Sequence, residues 1–244
     1  MTYGAAPCPH HVRTAVEGRF GLRLLQAYGM TEAPNAVTMD PLDRPVRETA
    51  VGLPLPHIRL QVVDDDGTPQ PAGTPGEVRI GPDPGSVGEL TYRPMRGYWR
   101  NAEATAAALR DGFFHTGDVG VVDDDGYLHI VDRKKDMIIR GGNNVFPAEI
   151  ERVLLSHPAV DEAYVVGIPD ERLGEVPKAF VVLVPGQQVP AGELLELVGE
   201  RLAAYKRLEQ VELVESDQLP RTALGKVLKR ELRDRARRET GGRS

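Results

Sequence analysis

Four short segments carry side chains able to do chemistry on a phosphorylated or carboxylated ligand. In YGMTE, Tyr28 offers an aromatic face that can stack on a purine, Thr31 a hydroxyl that can donate to a phosphate oxygen, and Glu32 a carboxylate that can hold Mg²⁺ through oxygen. A loop tyrosine filling a pocket beside a Thr-Glu turn cap is the plainer reading. In DGFFHTGDVG, Asp118 could accept both hydroxyls of a ribose, or TGD could be a simple turn. DRKKDMIIRGGNNVFPAEIE joins Arg133, capable of fork-like hydrogen bonding, to Gly141 and Gly142, whose missing side chains admit a ligand or another backbone at close range. A solvated linker followed by a hairpin turn accounts for the same string. In LPRTALGKVLKREL, Lys226 follows Gly225 in a segment with little around it to pack against. Its ammonium can serve as a point charge for a carboxylate or phosphate oxygen, or can be an inert surface lysine.

The elements that must position these residues follow from periodicity. HVRTAVEGRFG predicts a helix with Val12, Val16 and Phe20 on one face and Gly21 as its stop, and LRLLQAYGM predicts a buried strand running into a loop. From Val51 to Val131 the pattern is one of short alternating strands divided by Gly, Pro and Asp, with one helix near EATAAALR, which predicts an antiparallel barrel or meander. The two VVDDDG stretches, 62–67 and 121–126, resemble a paired acidic metal site, but Asp-Asp-Gly between apolar runs is a hairpin-turn signal and we read them as turns. After DRKKD the chain predicts a hairpin (MIIRGGNNVF), a helix with Pro147 near its first position (PAEIERVLLSH), two strands (AYVVGIPD, KAFVVLV) and a helix (GELLELVGERLA). The charged stretch 132–136, where composition and periodicity both shift, is the expected boundary between two domains.

Composition narrows the function classes. With 244 residues, 41% hydrophobic and 27% charged, the chain can bury a core. Its net charge is −6 and its Lys and Arg are dispersed as far as the C-terminal RELRDRARRETGGRS, which sets nucleic acid aside as a partner. The apolar runs fall short of the ~20 residues a membrane span requires, and the N-terminus lacks the pattern of a secretion signal, so a soluble, cytoplasmic protein is expected. A lone Cys8 excludes an internal disulfide framework and any multi-cysteine zinc site.

In this order the four segments resemble the AMP-forming acyl-CoA synthetases, aryl-CoA ligases, luciferases and adenylation domains, over almost the whole chain from YGAAP to LGKVLKREL. The resemblance implies a mixed α+β fold: a C-terminal part of the large AMP-binding domain with an antiparallel barrel-like subdomain (1–132), followed by a small, mobile α+β domain (133–244). It implies ATP-driven activation of a carboxylic acid to acyl-AMP, then attack by a thiol. ATP or AMP, Mg²⁺ and coenzyme A would be the cofactors and co-substrates. Gly4, Ala5 and Ala6 would line the adenine pocket with Tyr28 and Gly29. Thr31 would contact phosphate, and Glu32 would hold Mg²⁺. Asp118 and Arg133 would bind the ribose hydroxyls, and Lys226 would act between the acyl carboxylate and the α-phosphate. Lys135 would be the hinge about which the small domain turns, presenting Gly141 and Gly142 to pantetheine.

The sequence also departs from that family. It contains no Ser/Thr/Gly-rich loop ending in PKG to cradle the β- and γ-phosphates. Three explanations stay open: a fragment, a split gene whose first half is a separate N-terminal chain, or a relative retained only to bind a nucleotide or partner. The string IGPDPGSVGELTYRPMRGYW holds two versions of one strand, GEVRI and GELTY, which leaves the register of the barrel open. DMIIRGGNNVFPAEIE resembles the acyl-CoA ligase version of this segment, so coenzyme A is the expected thiol. The acid cannot be read.

Overall fold

The computed structural model describes residues 1–4, 8, 10–47, 49–85, 92–223 and 225–241. They form a mixed α/β structure that divides into two compact units, Met1–Lys134 and Lys135–Ser244. The division falls just past the Asp132/Arg133 boundary expected from the sequence, because Arg133 is still paired with Asp118 in a strand ladder of the first unit.

The first unit opens with β1 (Thr2–Gly4), helix α1 (His10–Phe20) and strands β2 (Leu25–Met30), β3 (Ala33–Met39) and β4 (Leu53–Pro54). These strands make one sheet in the order β1-β2-β3-β4, with β1 parallel to β2 and the rest antiparallel. α1 ends where expected, at Gly21 with φ +62° and its N–H on the Glu17 carbonyl. Its buried face is not the expected one. Val12 and Phe20 are exposed, whereas Arg13 is buried, donating to the Leu24 carbonyl at 2.5 Å beside Asp40. The pairing of a cation with a buried carboxylate, not an apolar stripe, ties α1 to this sheet.

Strands β5 (Ile58–Val63) and β6 (Gly76–Pro82), helix α2 (Ala102–Ala108), and strands β7 (Leu109–Arg110), β8 (Phe113–Val122) and β9 (Leu128–Arg133) follow. The expected barrel or meander is a five-stranded antiparallel sheet, order β5-β6-β8-β7, with β9 also on β8. Val78, Ile80, Phe114 and Leu128 form its core with Val37. GEVRI lies on β6; GELTY, up to Thr91, lies outside the described residues. Both Asp-rich stretches are turns, and in each the first aspartate makes them so. The Asp64 carboxylate accepts the N–H groups of Asp66 and Thr68, and that of Asp123 accepts the N–H groups of Asp125 and Tyr127.

Asp123 also takes Arg47 and, at 3.1 Å, His129 Nε2. Burial works against its charge, but the hydrogen bonds from His129, the Tyr127 N–H and Arg47 outweigh it and pull the carboxyl down to about 2. Unfolded, an aspartate titrates near 3.9. The stability this cluster contributes is therefore complete above about pH 4 and is lost as pH falls towards 2. Acid titration of the first unit, followed by circular dichroism, should show this limb, and Asp123→Asn should flatten it; an unaltered limb would mean that other carboxylates govern acid unfolding.

The second unit contains β10 (Ile138–Arg140), β11 (Asn143–Val145), α3 (Pro147–Leu155), β12 (Val160–Asp170), β13 (Gly174–Leu183), α4 (Ala191–Arg201), β14 (Gln210–Leu213) and α5 (Lys229–Gly241). Its sheet runs β11-β10-β13-β12, with β14 parallel to β13. β12 and β13 are covered on both faces, which is why they read as unbroken apolar runs. Ala163, Val165, Ala179 and Val181 pack with Ile150, Leu154, Leu194 and Val198 of α3 and α4. Val166, Ile168, Phe180 and Val182 pack with Leu232 and Ala236 of α5. Neither β14 nor α5 was expected. Among its described side chains α5 has only Leu232 and Ala236, four apart, as a fully buried face. Ion pairs supply the rest: Lys229 to Glu151, Arg233 to Asp136 and Arg235 to Glu212. No helix among the described residues is long and apolar enough to cross a membrane.

Candidate active site

The arrangement around Asp118 begins with a ladder register. β8 and β9 pair so that Asp118 faces Arg133, and the Arg133 Nε sits 2.7 Å from Asp118 Oδ1. From the other sheet of the same unit, the Tyr28 hydroxyl on β2 donates to Asp118 Oδ2 at 2.5 Å. Burial, then the Asp118 carboxylate, pushes the Tyr28 hydroxyl far above its ordinary value, so it remains a donor at any physiological pH. Asp118 is only 3% exposed, and the half-exposed guanidinium beside it compensates its charge. Thr116 completes the group: it donates to the Val78 carbonyl at 2.8 Å and accepts the Asp118 N–H at 3.0 Å. Sequence reasoning missed Thr116, although the hydroxyl two residues before the aspartate in HTGD was the available signal.

Arg133 is fixed from its other side as well. Lys134, the last residue of the unit, places Nζ 2.9 Å from Asp65 in the first Asp-rich turn and 3.1 Å from the buried Glu77 of β6. Asp136, the second residue of the other unit, is buried and paired with Arg233 at 3.1 Å. Lys135, the expected hinge, is exposed and stands between two residues each anchored within its own unit.

The remaining expected residues fall in several places. Gly4 ends β1 opposite Ala27, where an added Cβ would lie 2.6 Å from the Ala27 carbonyl oxygen, so the close approach requires glycine. Ala5 and Ala6 lie outside the described residues. Gly29 is in β2 opposite Ala36. Thr31 is exposed in the turn between β2 and β3. Glu32 follows it, its Oε1 accepting from the Tyr98 hydroxyl at 3.2 Å and its carbonyl accepting from the Met95 N–H. Tyr98, in the RGYW string, was not expected at this position. Among the described residues no group of three or more His, Cys, Asp or Glu could hold a metal. Glu32 alone suits Mg²⁺ shared with phosphate oxygens and water, the usual manner of binding for that ion.

In the second unit Gly141 and Gly142 form the two-residue turn between β10 and β11, with φ +55° and +80°. Positive φ at both central residues is the type I′ pattern, which glycine alone adopts freely at both. Lys226 is exposed on a small hairpin closed by Thr222: the Thr222 N–H donates to the Lys226 carbonyl at 2.8 Å, and its hydroxyl accepts the Lys226 N–H at 3.2 Å. The segment is thus a built turn, not the loosely packed loop the sequence suggested. The Lys226 ammonium has no ion pair among the described residues.

Comparison with known proteins finds two family models that match the chain. The family model described as AMP-binding enzyme matches residues 1–99, and that described as AMP-binding enzyme C-terminal domain matches 149–226. The chain is 43% identical to a feruloyl-CoA synthase of Amycolatopsis over 95% of its own length and 45% of the relative's. It is 41% identical to the indoleacetate–CoA ligase of Aromatoleum aromaticum, over 98% of its own length and 45% of that protein. ATP-bound MatB from Rhodopseudomonas palustris superposes with a TM-score of 0.81 at 36% identity, covering 96% of this chain and 44% of MatB. The chain thus spans a little under half the length of these relatives.

Proposed function

Since the chain belongs to the adenylate-forming, AMP-binding enzyme superfamily, we propose that it is the adenosine-binding and adenylate-handling portion of an ATP-dependent carboxylic acid:CoA ligase. The observation that carries this reading is the Asp118 carboxylate, buried at the end of a strand ladder and held by Arg133 and the Tyr28 hydroxyl. A carboxylate so oriented accepts both hydroxyls of a ribose, while Arg133 balances its charge and can donate to the sugar itself. Tyr28 presents its ring to adenine, and Gly4, Ala5, Ala6 and Gly29 are the further residues this reading assigns to the adenine pocket. Thr31 donates to phosphate, and Glu32 would hold Mg²⁺, which neutralises phosphate charge when bound.

In the first half-reaction a substrate carboxylate oxygen attacks the α-phosphorus of ATP and pyrophosphate leaves. Negative charge builds on the α-phosphoryl oxygens, and Lys226 is the cation that stabilises it. In the second, the thiolate of coenzyme A attacks the acyl carbonyl carbon and AMP leaves; the Gly141–Gly142 turn lets pantetheine approach the backbone closely. Lys135 is the pivot that separates the steps. The carboxylic acid, ATP and CoA are the partners in this reading, and a cytoplasmic setting suits it.

AMP calorimetry tests the nucleotide site. Asp118→Asn should weaken AMP binding by about 1.5–3 kcal/mol, roughly ten- to a hundredfold, the worth of hydrogen bonds to a charged acceptor. Unchanged affinity would remove Asp118 from the ribose site. A second reading is a nucleotide- or partner-binding module without catalysis of its own, or one completed by a separate N-terminal half chain. ATP–pyrophosphate exchange separates the two: a catalytic chain exchanges above a Lys226→Ala control, and a binding module does not.

A further inference from the structure

Glu162 lies on β12, outside every segment singled out above for its chemistry, yet its carboxylate gathers the polar groups at the foot of the Lys226 hairpin. Arg221 Nη2 donates to Glu162 Oε1 at 2.6 Å and to Oε2 at 2.7 Å. The Ser216 hydroxyl donates to Oε1 and the Tyr164 hydroxyl to Oε2, each at 2.8 Å. The same guanidinium reaches forward, its Nη1 donating at 3.1 Å to the carbonyl of Gly225, the residue before Lys226. Arg221 and Val227 form an isolated bridge across the hairpin, and the Val227 side chain is buried with Phe180 and Leu232.

The geometry points to Glu162 and Arg221 as positioning residues that hold the Lys226 hairpin in the form needed for acyl-AMP formation. This rests on the role given to Lys226 above. Burial raises the Glu162 carboxyl, but the hydrogen bonds from Arg221, Tyr164 and Ser216 outweigh it, and the group stays ionised at neutral pH. The side chains of Glu162 and Arg221 are 21% and 30% exposed, so the pair contributes modestly to overall stability. Its effect is on orientation. Among the described residues Arg221 is the one side chain joining β12 to the carbonyl next to Lys226, and a fork of two donors resists rotation where a single bond would not. A displacement of about 1 Å in a reacting group can cost on the order of 10²-fold in rate.

The test has two readouts. Hydrogen exchange on the full chain reports the hairpin directly. In Glu162→Gln and Arg221→Ala the amides of Thr222, Gly225 and Lys226 should exchange at least about tenfold faster, equivalent to roughly 1.4 kcal/mol of local opening, while amides of β12 and β13 keep their protection. Unchanged hairpin exchange overturns the anchoring. The half-reactions are then measured in a form competent for the overall reaction. The same variants should lose about 10²-fold in acyl-AMP formation and keep thioester formation from supplied acyl-AMP, with Arg221→Lys intermediate. Equal loss in both steps would show a merely structural role. If Lys226→Ala itself leaves acyl-AMP formation intact, the functional reading of Lys226 fails, and only the exchange result on the hairpin stands.

Discussion

Replacement of Lys226 by alanine should abolish most acyl-AMP formation and leave the second half-reaction untouched. Removing one preorganised electrostatic contact to the developing charge of a transition state costs about 10²–10³-fold, or about 2.7–4 kcal/mol. Lys226 is exposed and, among the described residues, joins its hairpin through backbone N–H and carbonyl, so truncating the side chain spares the turn. Its ammonium is also uncommitted to any ion pair among the described residues. In a form competent for the overall reaction, pyrophosphate exchange should collapse in the variant while thioester formation from supplied acyl-AMP continues. Loss of both steps together would instead make Lys226 a residue of general folding or of nucleotide affinity.

The second large effect concerns stability. Lys178 on β13 is 5% exposed, with Nζ 2.7 Å from both Glu212 on β14 and Glu239 on α5, and it lies over the Phe180 ring. Arg235 adds a second cation to the same two carboxylates. This cluster is one of the polar fastenings of α5, whose fully buried apolar face among the described side chains is Leu232 and Ala236. Converting both glutamates to glutamine strands a buried cation, and breaking a buried pair in this way costs about 3–5 kcal/mol. The exposure of Glu239, 45% of its side chain, favours the lower end of that range. The slowest-exchanging amides of β12 and β13 measure it. Adding Lys178→Met to the double variant should recover most of the loss, because the stranded charge is gone and an unbranched apolar chain fills the space. Failure of Lys178→Met to recover stability would assign the loss to the missing hydrogen bonds.

Local chemistry was legible in the sequence wherever neighbouring residues decide the outcome. The Asp-rich turns, the Gly141–Gly142 hairpin, the glycine stop of α1 and the Pro147 start of α3 each follow from sterics and hydrogen bonds spanning a few positions. The doubly covered strands β12 and β13 were legible for a related reason, since an unbroken apolar run can be satisfied only by burial on both faces. The order of the four chemical segments, too, needed only the sequence, and it was their combination that pointed to adenylate formation.

What the tertiary structure decided is which distant residues meet. Tyr28 and Asp118 are separated by 90 positions, and no periodicity within a window announces that the hydroxyl of one will donate to the carboxylate of the other. Arg133 faces Asp118 because of one register of β8 against β9, which a shift of a single residue would reverse. Arg13 displaced Val12 and Phe20 as the anchor of α1 because a buried Asp40 lies just past the end of β3. α5 and its partners Lys178, Glu212 and Asp136 became a helix packed on a sheet for the same reason, since its charges are paired only once the sheet is assembled. Hydrogen-bond and ion-pair partners are set by the meeting of surfaces far apart in the chain, so the sequence by itself names the groups, and the fold alone selects the pairs.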